Sequence, residues 1–536
     1  MAEFGTLNWS IVIAYLLGTL AMGAYLSKRV HTAEDYFLGD RTTPWWAIGV
    51  SVVATYVGAL TFLGGPAWAY EDGLAVILIH VNYPLALFVV VSVFLPFFYN
   101  SGVASIFDYL ERRFGRTTRS LMSAVFLFGN IAYSGIMLYT TALVIQFITG
   151  IDALPAILVV ASVALIYTTL GGITAVIWTD VAQTVILLGG AVIVFCLLVA
   201  SLPGGLLPAL TELDASGRLD PFNTSRDPSM VATVWTGIVA MSIYHVVVYG
   251  VNQMMVQRTL TARTLGDAKK SYMMMGYLAF AIFFLFFLIG ILLYQYFSGR
   301  TFENGNMIVL EFVQQAQVPG LMGLIAAAAV AAAMSSLDSS LNSMATVTTV
   351  DFYQQYWKRD ASPQHYLKAS RWFTLIWGVL IVIPAISFLG SEGSVLEILS
   401  KVGSFLVGAK LASYVLGFYS RHTSERGLLV GIVAGFIALW WLEVNTDTAW
   451  PWYAAIGGLV SIPVAWLASL LLDGPRASYH PYTVRGQAEL FHAEGRAEKE
   501  DGWYVLPGKV DRASYFLLIY FCFCIGFLWL FKSLPG

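Results

Sequence analysis

Cysteine and charge are both scarce in this chain. Its 536 residues include three cysteines, and 11% are Asp, Glu, Lys or Arg, where an ordinary soluble domain carries about a quarter. Three cysteines give no disulfide framework. Cys196, Cys522 and Cys524 lie in apolar stretches, and Cys522 and Cys524 have neither a second pair nor a nearby histidine to build a metal site. They read as small packing residues. The 29 basic and 32 acidic residues leave a net charge of −3, which excludes a nucleic-acid binder with its clustered basic excess. So little charge also excludes a disordered tail and a water-soluble enzyme of this size. No zincin motif, nucleophile elbow or P-loop occurs, so nothing points to an enzyme or an ATP-driven pump, and no organic cofactor is expected. No small-residue cleavage site follows the first apolar run, so a cleavable signal peptide is not expected.

What the chain has instead is apolar length. Of its residues 58% are hydrophobic, and about 20 mostly apolar residues suffice to cross a bilayer. Fourteen spans are expected, at 7–27, 45–70, 74–99, 118–148, 153–171, 173–201, 230–256, 271–297, 319–351, 370–390, 394–419, 425–444, 451–472 and 514–533. All must be helices, because hydrocarbon offers the backbone no partner and the runs are too long and unbroken for barrel strands. The fold class is an all-α polytopic membrane protein, placed in the lipid bilayer of a plasma or bacterial inner membrane. With the N-terminus outside, 23 of the 29 basic residues fall in inside loops, Arg258, Arg263, Lys269 and Lys270 in one of them. Four fall outside, and Lys401 and Lys410 lie within a span. That asymmetry puts both termini outside.

Polar groups at membrane depth are costly and mark function. The ninth span carries the densest set, Ala332-Ala333-Met334-Ser335-Ser336-Leu337-Asp338-Ser339-Ser340-Leu341-Asn342-Ser343. Ala332, Ser335, Ser336 and Ser339 share one helical face, and hydroxyls and carbonyls are hard oxygen donors suited to a small cation such as Na⁺. Helix packing through small residues is the plainer reading of the serines, but it does not account for Asp338. In the second span, Gly58, Gly64, Gly65 and Pro66 weaken the helix, and a helix broken at depth frees carbonyls as ion ligands. Gly171 and Gly172 allow a tight turn between the fifth and sixth spans, after which Asp180 and Gln183 sit about two turns into a membrane helix.

The run Gly171-Gly172-Ile173-Thr174-Ala175-Val176-Ile177-Trp178-Thr179-Asp180-Val181-Ala182-Gln183, taken with Ser335-Ser336-Leu337-Asp338-Ser339-Ser340-Leu341-Asn342-Ser343, resembles the sodium/solute symporter family. That family includes sodium-coupled sugar, sialic acid, monocarboxylate, vitamin and iodide transporters. The resemblance covers about 7–472 and a last helix. It implies a LeuT-type fold of two inverted five-helix repeats, here 45–201 and 230–419. A first helix with its inside loop (1–44) precedes them and an outside loop (202–229) joins them. Two accessory helices (420–472), a cytoplasmic loop (473–513) and a last helix (514–536) follow. It implies sodium-coupled import of a small polar organic solute by alternating access. The implied sodium ligands are the carbonyls of Ala54, Val57 and Ala332 and the hydroxyls of Ser335 and Ser336. Some members hold a second sodium ion, for which Asp180, Ser339 and Ser340 would serve. Asp338 stands where the family has Ser or Thr, and its carboxylate would strengthen that second site or bind a proton.

The solute pocket is expected between the second, third, seventh and eleventh spans. Candidate lining residues are Thr61, His80, Asn82, Tyr83, Asn130, His245, Tyr249, Ser400 and Lys401. Sugar-transporting relatives carry acidic and amide side chains where this chain has Leu60, Thr61 and His80. Its Leu60-Thr61-Phe62-Leu63-Gly64-Gly65-Pro66-Ala67 is closer to the branch taking sialic acid and other organic anions, yet the arginine that grips the carboxylate there falls at Asn130 here. Solutes consistent with this reading are a sugar, sialic acid or a related organic acid; a monocarboxylate, vitamin or amino acid is the alternative. A membrane-integrated enzyme using His80 or His245, or a transporter-like sensor, is the competing class. Nothing in the sequence sets an oligomeric state.

Overall fold

The computed structural model describes residues 4–39, 41–103, 105–389 and 395–535, without the side chains of 59, 60 and 395–402. Ser400 and Lys401, named above for the solute pocket, therefore lie outside the described side chains. Ten helices among the described residues are long and apolar enough to cross a membrane, or twelve when each of two bent pairs is taken as one span. In chain order they begin with α1 (Thr6–Leu26), the broken pair α2 (Trp45–Tyr56) and α3 (Ala59–Asp72), α4 (Leu74–Ser101), α5 (Arg116–Thr149) and α6 (Ala153–Ser201). Then come the second bent pair, α7 (Thr236–Gly250) and α8 (Gln253–Thr259), followed by α9 (Leu265–Tyr296), α10 (Leu321–Trp357) and α11 (Pro363–Ser387). The last of these are α13 (Glu425–Asn445), α14 (Pro451–Asp473) and α15 (Arg512–Lys532), and a further helix outside that count, α12 (Val395–Tyr419), precedes them.

α6 has 49 residues, about 73 Å at 1.5 Å per residue, enough for two crossings of a hydrocarbon core of about 30 Å. Its backbone leaves the helical region at Gly172, with φ 56° and ψ −153°, the position expected to turn between two spans. Only glycine suits it: φ is positive, and a Cβ would stand 2.7 Å from the Tyr36 carbonyl oxygen.

α10 is the axis of the molecule. Every residue from Ile325 to Val347 is buried, and α1, α2, α5 and α6 pack around it. A helix enclosed on all sides can carry serines and an aspartate because no lipid touches them. The periphery is the opposite: Val185, Trp440, Trp441 and Leu471 are exposed, as a lipid-facing surface requires.

The two breaks set the site. Between α2 and α3 the chain bends by 54°, and Gly58 is extended, with ψ −175°. Here glycine is required by proximity, since a Cβ would stand 2.6 Å from the Met137 methyl and 2.9 Å from Ser336 Oγ. Gly64, Gly65 and Pro66 lie within α3, so the break falls one to two turns earlier than they do. The seventh span, expected to run unbroken over 230–256, bends by 56° between α7 and α8. Asn252 is the cause: its backbone is extended and its side-chain oxygen accepts from Met254 N at 3.1 Å, capping a new helix.

The 473–513 segment folds against one end of the bundle. Lys499–Glu500 and Trp503–Tyr504 form a hairpin around Asp501-Gly502, both at positive φ, as a two-residue turn demands. Lys269 Nζ pairs with Asp511 at 2.5 Å, and Gly508 N donates to Ser92 O at 2.9 Å.

Candidate sodium and solute sites

At the α2–α3 break the carbonyls of the last turn of α2 lose their helical partners. Thr55 O accepts from Ser336 Oγ at 3.4 Å, and Tyr56 O from Thr61 Oγ1 at 3.5 Å. Ala54 and Val57 instead line a void of about 10 Å³ with Ala332 and Ser335, room for about one water-sized sphere. Four of the five expected sodium ligands thus surround one ion-sized space. The fifth, Ser336, is buried beside Gly58. Gln183 also lines the void, and its Oε1 is a buried oxygen with no hydrogen-bond partner among the described residues.

A charged cluster adjoins this void. Asp180 accepts from Ser51 Oγ at 2.5 Å and from Ser335 Oγ, and pairs with Arg258 Nη2 at 3.5 Å. Arg258 also donates to Ser51 Oγ at 2.8 Å, to Met254 O and to Ser339 Oγ. Asp338 accepts from Tyr167 OH at 2.6 Å, from Ser339 Oγ at 3.1 Å and from Thr179 Oγ1 at 3.4 Å. Asp180, Arg258 and Asp338 have no exposure. Two carboxylates and one guanidinium leave one negative charge, which burial requires a further cation or a proton to meet. The structure brings Asp180, Asp338 and Ser339 together. It turns Ser340 the other way, where Ser340 receives a hydrogen bond from Ser134 at 2.8 Å and donates to Asn130 Oδ1 at 3.2 Å. Arg258, counted above among the inside-loop cations, is the site residue the sequence reading missed. It lies at the end of an apolar run, where an arginine reads as an interface marker.

On the other side of the same break a cavity of about 1010 Å³ extends toward the loop between α13 and α14. Thr55, Tyr56, Gly58, Thr61, His80, Asn130, Tyr133, Tyr244, Phe283 and Lys410 are among its walls. Thr61, His80 and Asn130 are therefore where the sequence reading put them. Asn82, Tyr83, His245 and Tyr249 are wholly buried behind Tyr56 and His80. There His245 bonds Tyr56 OH at 3.1 Å and Asn82 Oδ1 at 2.6 Å, and Tyr83 OH bonds His80 Nδ1 at 3.2 Å. These groups hold the cavity wall in place rather than face it.

Paired helix breaks, an ion-sized void at one of them and a large cavity beside it define a transporter of LeuT-type fold. The sequence profile of the sodium:solute symporter family matches residues 36–435, and the chain belongs to that family. It is 29% identical over 483 residues to the sodium/sialic acid symporter SiaT of Proteus mirabilis (strain HI4320), covering 88% of this chain and 96% of that one. It is 30% identical over 477 residues to the sodium/sialic acid symporter NanT of Aliivibrio fischeri (strain ATCC 700601 / ES114), covering 87% and 94%. The sodium/iodide cotransporter of Homo sapiens is 29% identical over 457 residues, covering 82% and 70%. Among solved structures, a substrate-bound, outward-open Na⁺-coupled sialic acid symporter superposes with a TM-score of 0.82 at 29% identity, over 88% of this chain and all of that one. A nucleobase-cation-symport-1 family transporter shares the fold, with a TM-score of 0.51 at 14% identity over 81% and 93%.

Proposed function

We propose that this protein is a sodium-coupled symporter that imports a small organic solute by alternating access, with both termini outside and repeats at 45–201 and 230–419. The observation that carries this reading is that one helix break serves two spaces. Val53, Ala54 and Val57 line the ion-sized void, while Thr55, Tyr56 and Gly58 line the large cavity. An ion drawn to the void fixes the backbone of 54–57 and thereby the cavity wall, so sodium and solute each favour the geometry the other needs. The residual negative charge at Asp180, Asp338 and Arg258 supports a second sodium ion there.

The cavity reaches Ser229, Asp447 and Trp450, which belong to loops assigned to the outside, and on that assignment it opens outward. One sodium ion entering down a tenfold gradient and 100 mV releases about 3.7 kcal/mol, enough to concentrate a neutral solute about 500-fold. The test is uptake into proteoliposomes loaded with potassium. Replacing external sodium with choline is expected to abolish accumulation, and uptake that persists in choline refutes symport with sodium. Ser336→Ala should raise the sodium concentration for half-maximal uptake several-fold; an unchanged value moves the ion elsewhere.

A further inference from the structure

We infer that the solute is an organic carboxylate with an apolar or aromatic body, and that Lys410 holds its carboxylate group. This rests on the symport reading and names the substrate class of its cavity.

The four fully buried cations among the described residues all have partners. Arg113 donates to Gly417 O at 3.1 Å and Ser420 O at 2.7 Å. Arg119 pairs with Asp351 and Glu111, Arg258 with Asp180 and Lys269 with Asp511. Lys410 differs. Its Nζ lies 5.9 Å from the centre of the Phe126 ring, and no hydrogen bond or ion pair reaches it among the described residues. It is also the one lysine or arginine among the described residues that line the large cavity.

Depth excludes the ordinary fate of a membrane lysine. Lys410 stands nine residues before Tyr419, the end of α12, or about 14 Å along the helix, too far for its stem to carry the ammonium to that interface. An ammonium kept there without a counter-charge is costly unless water or a ligand meets it. The cavity provides the space, and a solute carboxylate provides the charge-assisted bond. Phe126, Tyr133, Leu406 and Phe283 among the walls suit an apolar body.

Three carboxylates, Glu71, Glu443 and Asp447, line the same cavity. Glu443 lies 18 residues into α13, about 27 Å from the end where α13 joins α12. It is therefore roughly 13 Å above Lys410 along the bundle, far beyond the separation of about 4 Å in an ion pair. Glu71 and Asp447 lie at the same rim, next to the ends of α3 and α13. None of the three is placed to neutralise Lys410.

The test uses the full chain in lipid nanodiscs, with thermal unfolding in sodium chloride or choline chloride. The probes are the acid–amide pairs phenylacetate and phenylacetamide, nicotinate and nicotinamide, and lactate and lactamide, with N-acetylneuraminate set against galactose, and iodide. In sodium, at least one acid should raise the unfolding temperature while its neutral counterpart does not. Lys410→Met should weaken that acid about 10- to 100-fold while still responding to sodium alone, which shows the variant folded. Lys410→Arg should recover most of the affinity. The proposal is overturned by equal binding of acid and amide, by acid binding unchanged in Lys410→Met, by a shift with iodide alone, or by no acid shift while the sodium shift is intact. Loss of the sodium shift in the unaltered protein counts against the symport reading instead, and the acid–amide comparison in choline then judges Lys410 separately.

Discussion

A guanidinium with no exposure needs a carboxylate at hand, and Arg258 finds Asp180, 78 positions earlier in the chain. Breaking a buried pair costs about 3–5 kcal/mol, because the partner is left charged and unmatched. Arg258→Met is therefore expected to lower the unfolding temperature sharply in choline. Adding Asp180→Asn should restore part of the loss, since it removes the orphaned charge. If the double variant is no more stable than the single one, the two residues are not coupled. Asp180, Asp338, Ser335 and Ser336 were legible in the sequence because polar residues inside apolar runs declare themselves. Arg258 was not, because the bend that carries it inward is marked by an asparagine rather than by glycine or proline, and its partner is distant in sequence. The solute cavity was half legible for a similar reason: a histidine or tyrosine at membrane depth looks the same whether it faces the cavity, as His80 does, or braces it from behind, as His245 does.

Among elements, the contact between α13 and α14 shows how closely membrane helices approach. Gly427, Gly431 and Gly435 recur every fourth residue along α13 and meet Ser469, Ala465 and Ser461 of α14. A Cβ at Gly431 would stand 2.8 Å from the Ala465 backbone nitrogen, so nothing larger than hydrogen fits. With no hydrophobic drive between helices in lipid, such close packing is what joins them. Gly431→Ile should separate the pair and cost about 1–3 kcal/mol, read as a lower unfolding temperature with sodium affinity retained. A stability equal to the parent's would show that the pair is not held by this seam. The repeating glycines could have been read from spacing alone, as Gly171-Gly172 was. The turn at Asp501-Gly502 could have been too, from its Asp-Gly pair, but in the sequence reading the segment is only a cytoplasmic loop.

At the scale of the whole molecule, the 473–513 segment fastens the ends of several helices, and one of its own hydrogen bonds is sensitive to acid. His480 Nδ1 accepts from Tyr482 N at 3.2 Å, a bond that needs the unprotonated ring nitrogen. Burial, with Arg113 and Arg476 nearby, lowers its pKa to about 4, against about 6.5 for a free imidazole. The folded protein therefore binds this proton less readily than the unfolded chain, and stability is lost as pH falls from about 6.5 toward 4. The hydrogen-exchange protection factors of residues 476–492, taken relative to intrinsic amide exchange at each pH, should fall between pH 7 and pH 5, and His480→Gln should blunt that fall. An equal fall in both proteins would place the sensitivity elsewhere. The two ion positions proposed above share a single atom. Ser335 Oγ gives its one hydrogen to Asp180 while Ser335 lines the void beside Ala54. Whatever neutralises Asp180 therefore alters the electron density offered to an ion one ångström-scale step away. A cation there draws negative charge away from the Ser335 oxygen, so filling one proposed position weakens the other: the sodium titration read by thermal unfolding should be shallower than a one-site curve, and Ser335→Ala should remove that opposition.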